Sequence, residues 1–145
     1  KKISEVHQKP IIVAKHPSNK LKNKFYDTFE TSKIPINEAI FDSDLVIFSA
    51  SSAILNAVIL KKKIISISSV LLGKYLQNII RQYVKSLSLV SFNIDEDIFL
   101  DEKALELKLK DSIKNYDEYI NNKLILDGNN SPSKKITDII NERFF

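Results

Sequence analysis

The stretch LVIFSASSAILNAVILKKKIISISS, residues 45–69, holds two apolar, β-rich runs on either side of a segment with helical spacing. The runs LVIFSA (residues 45–50) and KIISISS (residues 63–69) read as strands covered on both faces, because their interiors are apolar rather than alternating. Between them SSAILNAVILKK (residues 51–62) reads as a helix, with Ile54, Leu55, Val58 and Ile59 as its buried stripe. A helix between two strands implies a crossover, and therefore parallel pairing. The serines at the first junction admit two readings. A serine oxygen accepts a hydrogen bond from an orphan N–H of a helix's first turn. A helix start decorated with hydroxyls also favours phosphate. Taken alone, the cluster reads as ordinary capping, with Ser51 as the cap and Ser49 a structural residue within the strand; only with His16 and Glu38 offered by neighbouring segments are Ser52 and the N–H groups behind it read as facing an anion.

The same alternation continues outward. PIIVAKHP (residues 10–17) reads as a strand emptying into a loop, and FETSK (residues 29–33) as a weaker strand. PINEAIFDSD (residues 35–44) has proline in its first turn and Ile36, Ala39 and Ile40 on one face, as a helix would. Downstream, VLLGKYLQNIIRQYVKSL (residues 70–87) is a long helix in which Gly73 is either interior or the mark of a preceding loop. SLVSFNI (residues 88–94) is a further strand, residues 101–125 are helical with acids at their start, and Ser131-Pro132 opens a terminal helix. Strands spaced by helices imply an α/β fold: a Rossmann-like parallel sheet flanked by helices, with LVIFSA as its central strand. Ligands of such sheets bind beyond the carboxyl ends of the strands. That rule singles out His16 and Pro17, residues 49–52 and residues 66–69.

With 145 residues the chain is read as one domain, large enough for a core without staples. Cysteine is absent and histidine occurs twice, which excludes disulfides and thiolate metal sites and makes a metal centre or resident cofactor unexpected. The net charge of +4 is spread among acids, so no nucleic-acid partner is expected. Methionine is lacking even at position 1, which suggests a piece of a longer, two-domain protein. No apolar run approaches the ~20 residues of a membrane span. The expected location is cytoplasmic, with Phe144 and Phe145 offering peripheral contact at the inner face of a membrane.

Three side chains outside the serine cluster carry possible chemistry. His16 ends a strand and is either an ordinary loop residue or, beside a phosphate, an anion ligand and an acid for a leaving group. Glu38 serves the dipole of its helix, or, turned into the same crevice, accepts the hydroxyls of a ribose. His7 precedes the first strand without a companion and is read as non-functional.

The order KHPS, IPINEAI, SDLVIFSASSAILNAVILKKKIISI resembles the C-terminal, nucleotide-binding half of GT-B-fold glycosyltransferases that build bacterial surface polysaccharides. The likeness is greatest to the sialyltransferase and capsule-polymerase group with His-Pro, Pro-x-Glu and Ser-Ser motifs, and spans roughly residues 11–69. It implies that His16, followed by Pro17, contacts the donor phosphate and assists departure of the nucleotide. Ser51 and Ser52 would bind the same phosphate, and Glu38 would hold the ribose. Two residues rather than one separate Pro35 from Glu38, which makes Asn37 the other candidate for the ribose. The chain also has Asn56 where related enzymes often carry glutamate.

The expected function is thus donor binding in a glycosyltransferase of surface polysaccharide or lipooligosaccharide synthesis, with a CMP-activated sugar such as CMP-sialic acid favoured. The saccharide acceptor and the catalytic base would belong to an N-terminal domain that this chain lacks, so the piece alone would not turn over. Two other readings stand beside it: half of a nucleotide-sugar 2-epimerase, and a non-catalytic Rossmann-like interaction module whose serines only cap a helix.

Overall fold

A computed structural model describes residues 10–14, 29–96 and 101–124. His7, His16, Pro17 and the terminal segment from Ser131 to Phe145 lie outside the described residues. The elements are β1 (Ile12–Val13), β2 (Glu30–Thr31), α1 (Ile36–Asp42), β3 (Leu45–Phe48), α2 (Ile54–Ile59), β4 (Lys63–Ser68), α3 (Gly73–Leu87), β5 (Val90–Asn93), α4 (Glu102–Lys114) and α5 (Tyr116–Tyr119). A short 3₁₀ turn, Val70–Leu72, leads into α3, and a π-helical turn, Ile120–Leu124, follows α5.

Among the described residues all strand pairing is parallel. β1 and β2 form a two-stranded pair, while β3, β4 and β5 form a three-stranded sheet with β4 in the middle. The mixed α/β architecture with helices on both faces of a parallel sheet is as expected. The central position within that sheet is not: β4 occupies it, and the LVIF strand lies at one side. Burial follows suit, since Ile64 and Ile65 on β4 are fully buried whereas Ile47 on β3 is partly exposed.

Because successive strand residues point to opposite faces, each face of the sheet collects its own core. Val46, Phe48 and Ile64 face one side, against Ile40 of α1, Ile54, Ala57 and Val58 of α2, Val84 and Leu87 of α3, and Tyr116 of α5. Leu45, Ile65, Ile67, Val90 and Phe92 face the other, against Leu105 and Leu109 of α4. The Phe48 and Tyr83 rings meet edge to face at 6.2 Å. Lys63 at the start of β4 reaches both carboxylate oxygens of Glu106 on α4, at 3.0 and 2.8 Å, and ties the second layer to the middle strand.

Several local expectations shift. On α2 the buried stripe is Ile54, Ala57 and Val58, while Ile59 is 55% exposed, because the helix is only two turns long and its last residues turn outward. On α1 only Ile40 of the apolar trio is buried, and Pro35 stands just before the helix. Ser49 is exposed, since β3 ends at Phe48.

Both crossover helices end in a left-handed residue that is not glycine. After α2, Lys61 has φ +52° and the N–H groups of Lys61 and Lys62 donate to the carbonyls of Val58 and Ala57. After α3, Ser88 has φ +51° and Leu89 N–H donates to Val84 O. These are Schellman closures, which normally recruit glycine because a Cβ is disfavoured there. Gly73, where the 3₁₀ turn meets α3, stands at φ +70° and ψ 157°, a different positive-φ conformation that is open chiefly to glycine. Ser88→Gly should therefore stabilise the fold by roughly 0.5–1 kcal/mol, read as a raised urea midpoint with unchanged slope.

Tyr116 is fully buried, and its hydroxyl has no hydrogen-bond partner among the described residues. Burial also holds the phenol protonated well above its ordinary value of 10.0. Tyr116→Phe keeps the ring and removes the stranded hydroxyl, so stability should be unchanged or rise by up to about 2 kcal/mol. Above pH ~10 the unfolded chain loses this proton while the folded chain keeps it, so the native state is progressively disfavoured as pH rises. Denaturation midpoints across the alkaline range should fall less steeply for Tyr116→Phe than for the parent.

Candidate functional site

The carboxyl end of β3 is where the sequence-selected residues meet. α1 passes into β3 through Ser43 and Asp44 only, so it runs antiparallel to the strand and its first turn lies at the strand's carboxyl end. α2 departs from that same end. The first turns of the two helices are therefore neighbours, and Asn56 Nδ2 donates to Asn37 Oδ1 at 2.6 Å. A contact between residues 19 apart in sequence thus joins the Pro35-to-Glu38 segment to the turn after β3.

That turn is sharp. Ala50 adopts φ +49°, a conformation costing an alanine about 1–2 kcal/mol. It swings the chain so that residues 51–53 form a turn before α2 begins at Ile54. Ser51 Oγ accepts from Ala53 N–H at 3.3 Å within this turn, but Ser51 is not the helix cap expected of it: α2 begins at Ile54 directly after Ala53, and no side chain caps its first turn. The carbonyls of Ser51, Ser52 and Ala53 accept in turn from the N–H groups of Ile54, Leu55 and Asn56. All four N–H groups from Ala53 to Asn56 are consequently engaged inside the turn, instead of being left for an anion. What the turn offers outward is hydroxyl: Ser49, Ser51 and Ser52 are exposed, and those of Ser49 and Ser52 make no hydrogen bond among the described residues.

Glu38 is exposed in the first turn of α1. With Asn37, Phe41, Asp42 and Leu60 it lines a shallow, open hollow along the flank of α1 and α2. Between the two candidates for a ribose, Asn37 is the one hydrogen-bonded to α2. Lys62 lies 5.5 Å from the centre of the Phe41 ring and donates to the Phe41 carbonyl.

At the next strand end the serines of residues 66–69 are largely structural. Ser66 is fully buried and its hydroxyl lacks a partner among the described residues. Ser69 caps the 3₁₀ turn, accepting from Leu71 N–H and donating to Asp95, whose other oxygen takes Val70 N–H at 2.6 Å. Asp95, Gln77 and Arg81 around this strand end escaped the sequence reading, because none belongs to a motif. One signal was present: Arg81 is one of two arginines in a chain otherwise supplied with lysine. Among the described residues no cluster of three or more acidic or histidine side chains is placed to hold a metal ion. Nor is any helix among them long and apolar enough to cross a membrane.

Comparison with protein families, with curated proteins and with solved structures finds no match to this chain.

The Asn37–Asn56 contact joins the first turn of α1 to the first turn of α2. Asn37→Ala and Asn56→Ala should each destabilise modestly, with a coupling of about 0.5–1.5 kcal/mol in a double-mutant cycle. Chemical denaturation of the parent, both single variants and the double variant measures it.

Proposed function

We propose that this chain is the donor-nucleotide domain of a glycosyltransferase of bacterial surface-saccharide synthesis, taking a CMP-activated sugar. The observation that carries the reading is the hydrogen bond between Asn37 and Asn56, which brings the first turns of α1 and α2 together beside the exposed serines after β3. Polar residues chosen from separate motifs thus share one end of the parallel sheet, where ligands of such sheets gather. In this reading the Asn37 amide binds a ribose hydroxyl, and Ser51 and Ser52 donate their hydroxyl protons to phosphate oxygens. The phosphate of the departing nucleotide gains negative charge in the transition state, and donors fixed beforehand at that point lower the barrier. His16, through its resemblance to the His-Pro motif, supplies a further proton to the same phosphate. The acceptor saccharide and the base that activates it belong to a separate domain.

Titration of the 145-residue chain with CMP, followed by NMR, tests the reading. Binding at millimolar concentration or tighter should move the side-chain amides of Asn37 and Asn56, the backbone amides of Ser51 and Ser52, and the His16 ring. UMP and AMP should bind more weakly. Ser52→Ala should weaken CMP about tenfold, a change of ~1.4 kcal/mol, while leaving the denaturation midpoint in place. Absence of shifts at millimolar CMP overturns the proposal and leaves the serines with a purely structural task.

A further inference from the structure

A second polar recess lies on the other side of β4, between α3 and strand β5. It is a cleft of about 280 Å³ lined by Ser68, Ser69, Gln77, Arg81, Ser91 and Asn93 over an apolar floor of Ile80 and Val84. Its polar groups divide sharply into those already committed and those left over. Both N–H bonds of the Gln77 amide are spent on carbonyls of the 3₁₀ turn, Ser69 O at 3.1 Å and Val70 O at 3.3 Å. The amide is thereby immobilised, and its Oε1 is left as an acceptor without a hydrogen bond among the described residues. Asn93 is committed at both ends, donating to Glu96 at 2.8 Å and accepting from Asp95 N–H at 3.2 Å. Ser69 is committed to Asp95 and Leu71.

The groups left over are the Ser91 hydroxyl, the Gln77 oxygen and the guanidinium of Arg81. Arg81 donates one N–H to Asn78 at 3.0 Å and makes no ion pair among the described residues, so most of its donor fork is available. Where lysine supplies nearly all the positive charge, an arginine at this position provides what lysine cannot. Its planar fork matches a carboxylate with two parallel hydrogen bonds.

The rest of the lining selects among anions. Asp95 accepts from Ser69 and Glu96 from Asn93, both in the lining, and two carboxylates hydrogen-bonded to the cleft's own side chains disfavour a dianion more than a monoanion. Gln77 Oε1 can only accept, so a ligand made wholly of acceptors, such as acetate, leaves it unpaired. A hydroxyl beside a carboxylate satisfies it. From these complementary groups we infer that the cleft binds a small hydroxy-carboxylate: the carboxylate on Arg81 and Ser91, the hydroxyl donating to Gln77 Oε1, the carbon skeleton on Ile80 and Val84. This site is separate from the nucleotide reading and involves different residues.

The test is an NMR titration of the chain with glycerate, acetate and inorganic phosphate in turn. Glycerate at millimolar concentration should shift the Arg81 side-chain N–H, the Gln77 side-chain amide and the Ser91 backbone amide, and should bind several-fold more tightly than acetate or phosphate. Arg81 is exposed, so Arg81→Gln should fold normally by circular dichroism and lose the glycerate shifts. Arg81→Lys keeps the charge without the fork and should weaken binding by about tenfold. No shift at tens of millimolar glycerate overturns the inference. So does phosphate binding as well as glycerate, or glycerate binding that survives Arg81→Gln. Because CMP is scored on Asn37, Asn56 and the serine turn, either proposal can fail while the other stands.

Discussion

Strand β4 is the constraint on which the rest of the domain depends. Its consecutive residues Ile64 and Ile65 are both fully buried, and the pleat sends them to opposite faces. One short segment therefore requires an apolar layer above the sheet and another below. α1, α2, α3 and α5 supply the first, with Ile113 at the end of α4 packed against it, and Leu105 and Leu109 of α4 supply the second. A slip of one residue in pairing would exchange the two sets and place Ser66 among the side chains of α4. The Lys63–Glu106 pair, half-buried at the start of the strand, helps fix this arrangement by matching β4 to one position along α4.

The chain meets its sharpest local demands with residues poorly suited to them. With two glycines in 145 residues, the left-handed positions after β3, α2 and α3 fall to Ala50, Lys61 and Ser88. Each tolerates the strain because the following element is held by packing: Ile54 by the first core, Ile64 by both its neighbours, Leu89 by α3 and the sheet. Buried polarity is likewise uneven. Ser69 is fully used, whereas the buried hydroxyls of Ser66 and Tyr116 find no partner among the described residues. The stability of the sheet is thus carried by apolar burial, with the polar groups of functional interest kept to its carboxyl edge.

At that edge the middle strand separates two distinct polar regions. One is the serine turn with Asn37 and Asn56, where the N–H groups from Ala53 to Asn56 are consumed by the turn itself and the outward face carries hydroxyl and amide. The other is the cleft of Arg81, Gln77 and Ser91, where a fixed amide and a guanidinium face a common space. The first was legible from sequence because strand, serine cluster and helix follow one another directly. The second was not, since Arg81 and Gln77 lie mid-chain in an amphipathic helix and acquire a common purpose only when α3 is laid against Ser68 and Ser91.

What the sequence by itself determined is the alternation of strands and helices. Hydrophobic periodicity is a local property and survives without tertiary context, which is why residues 30–31, 45–48, 63–68 and 90–93 were recognisable as strands and residues 73–87 as a helix. Only the tertiary structure decided which strand stands in the middle. LVIF and KIISIS are both apolar, and their burial depends on neighbours contributed from elsewhere in the chain. It also decided that Ala57 rather than Ile59 faces the core, because a two-turn helix can turn only part of its apolar surface toward the sheet. The fate of the N–H groups behind Ser52 was settled in the same way. A serine pair before a helix is compatible with both an open donor nest and a closed turn, and the left-handed backbone of Ala50, invisible in an alanine codon, selects the closed one.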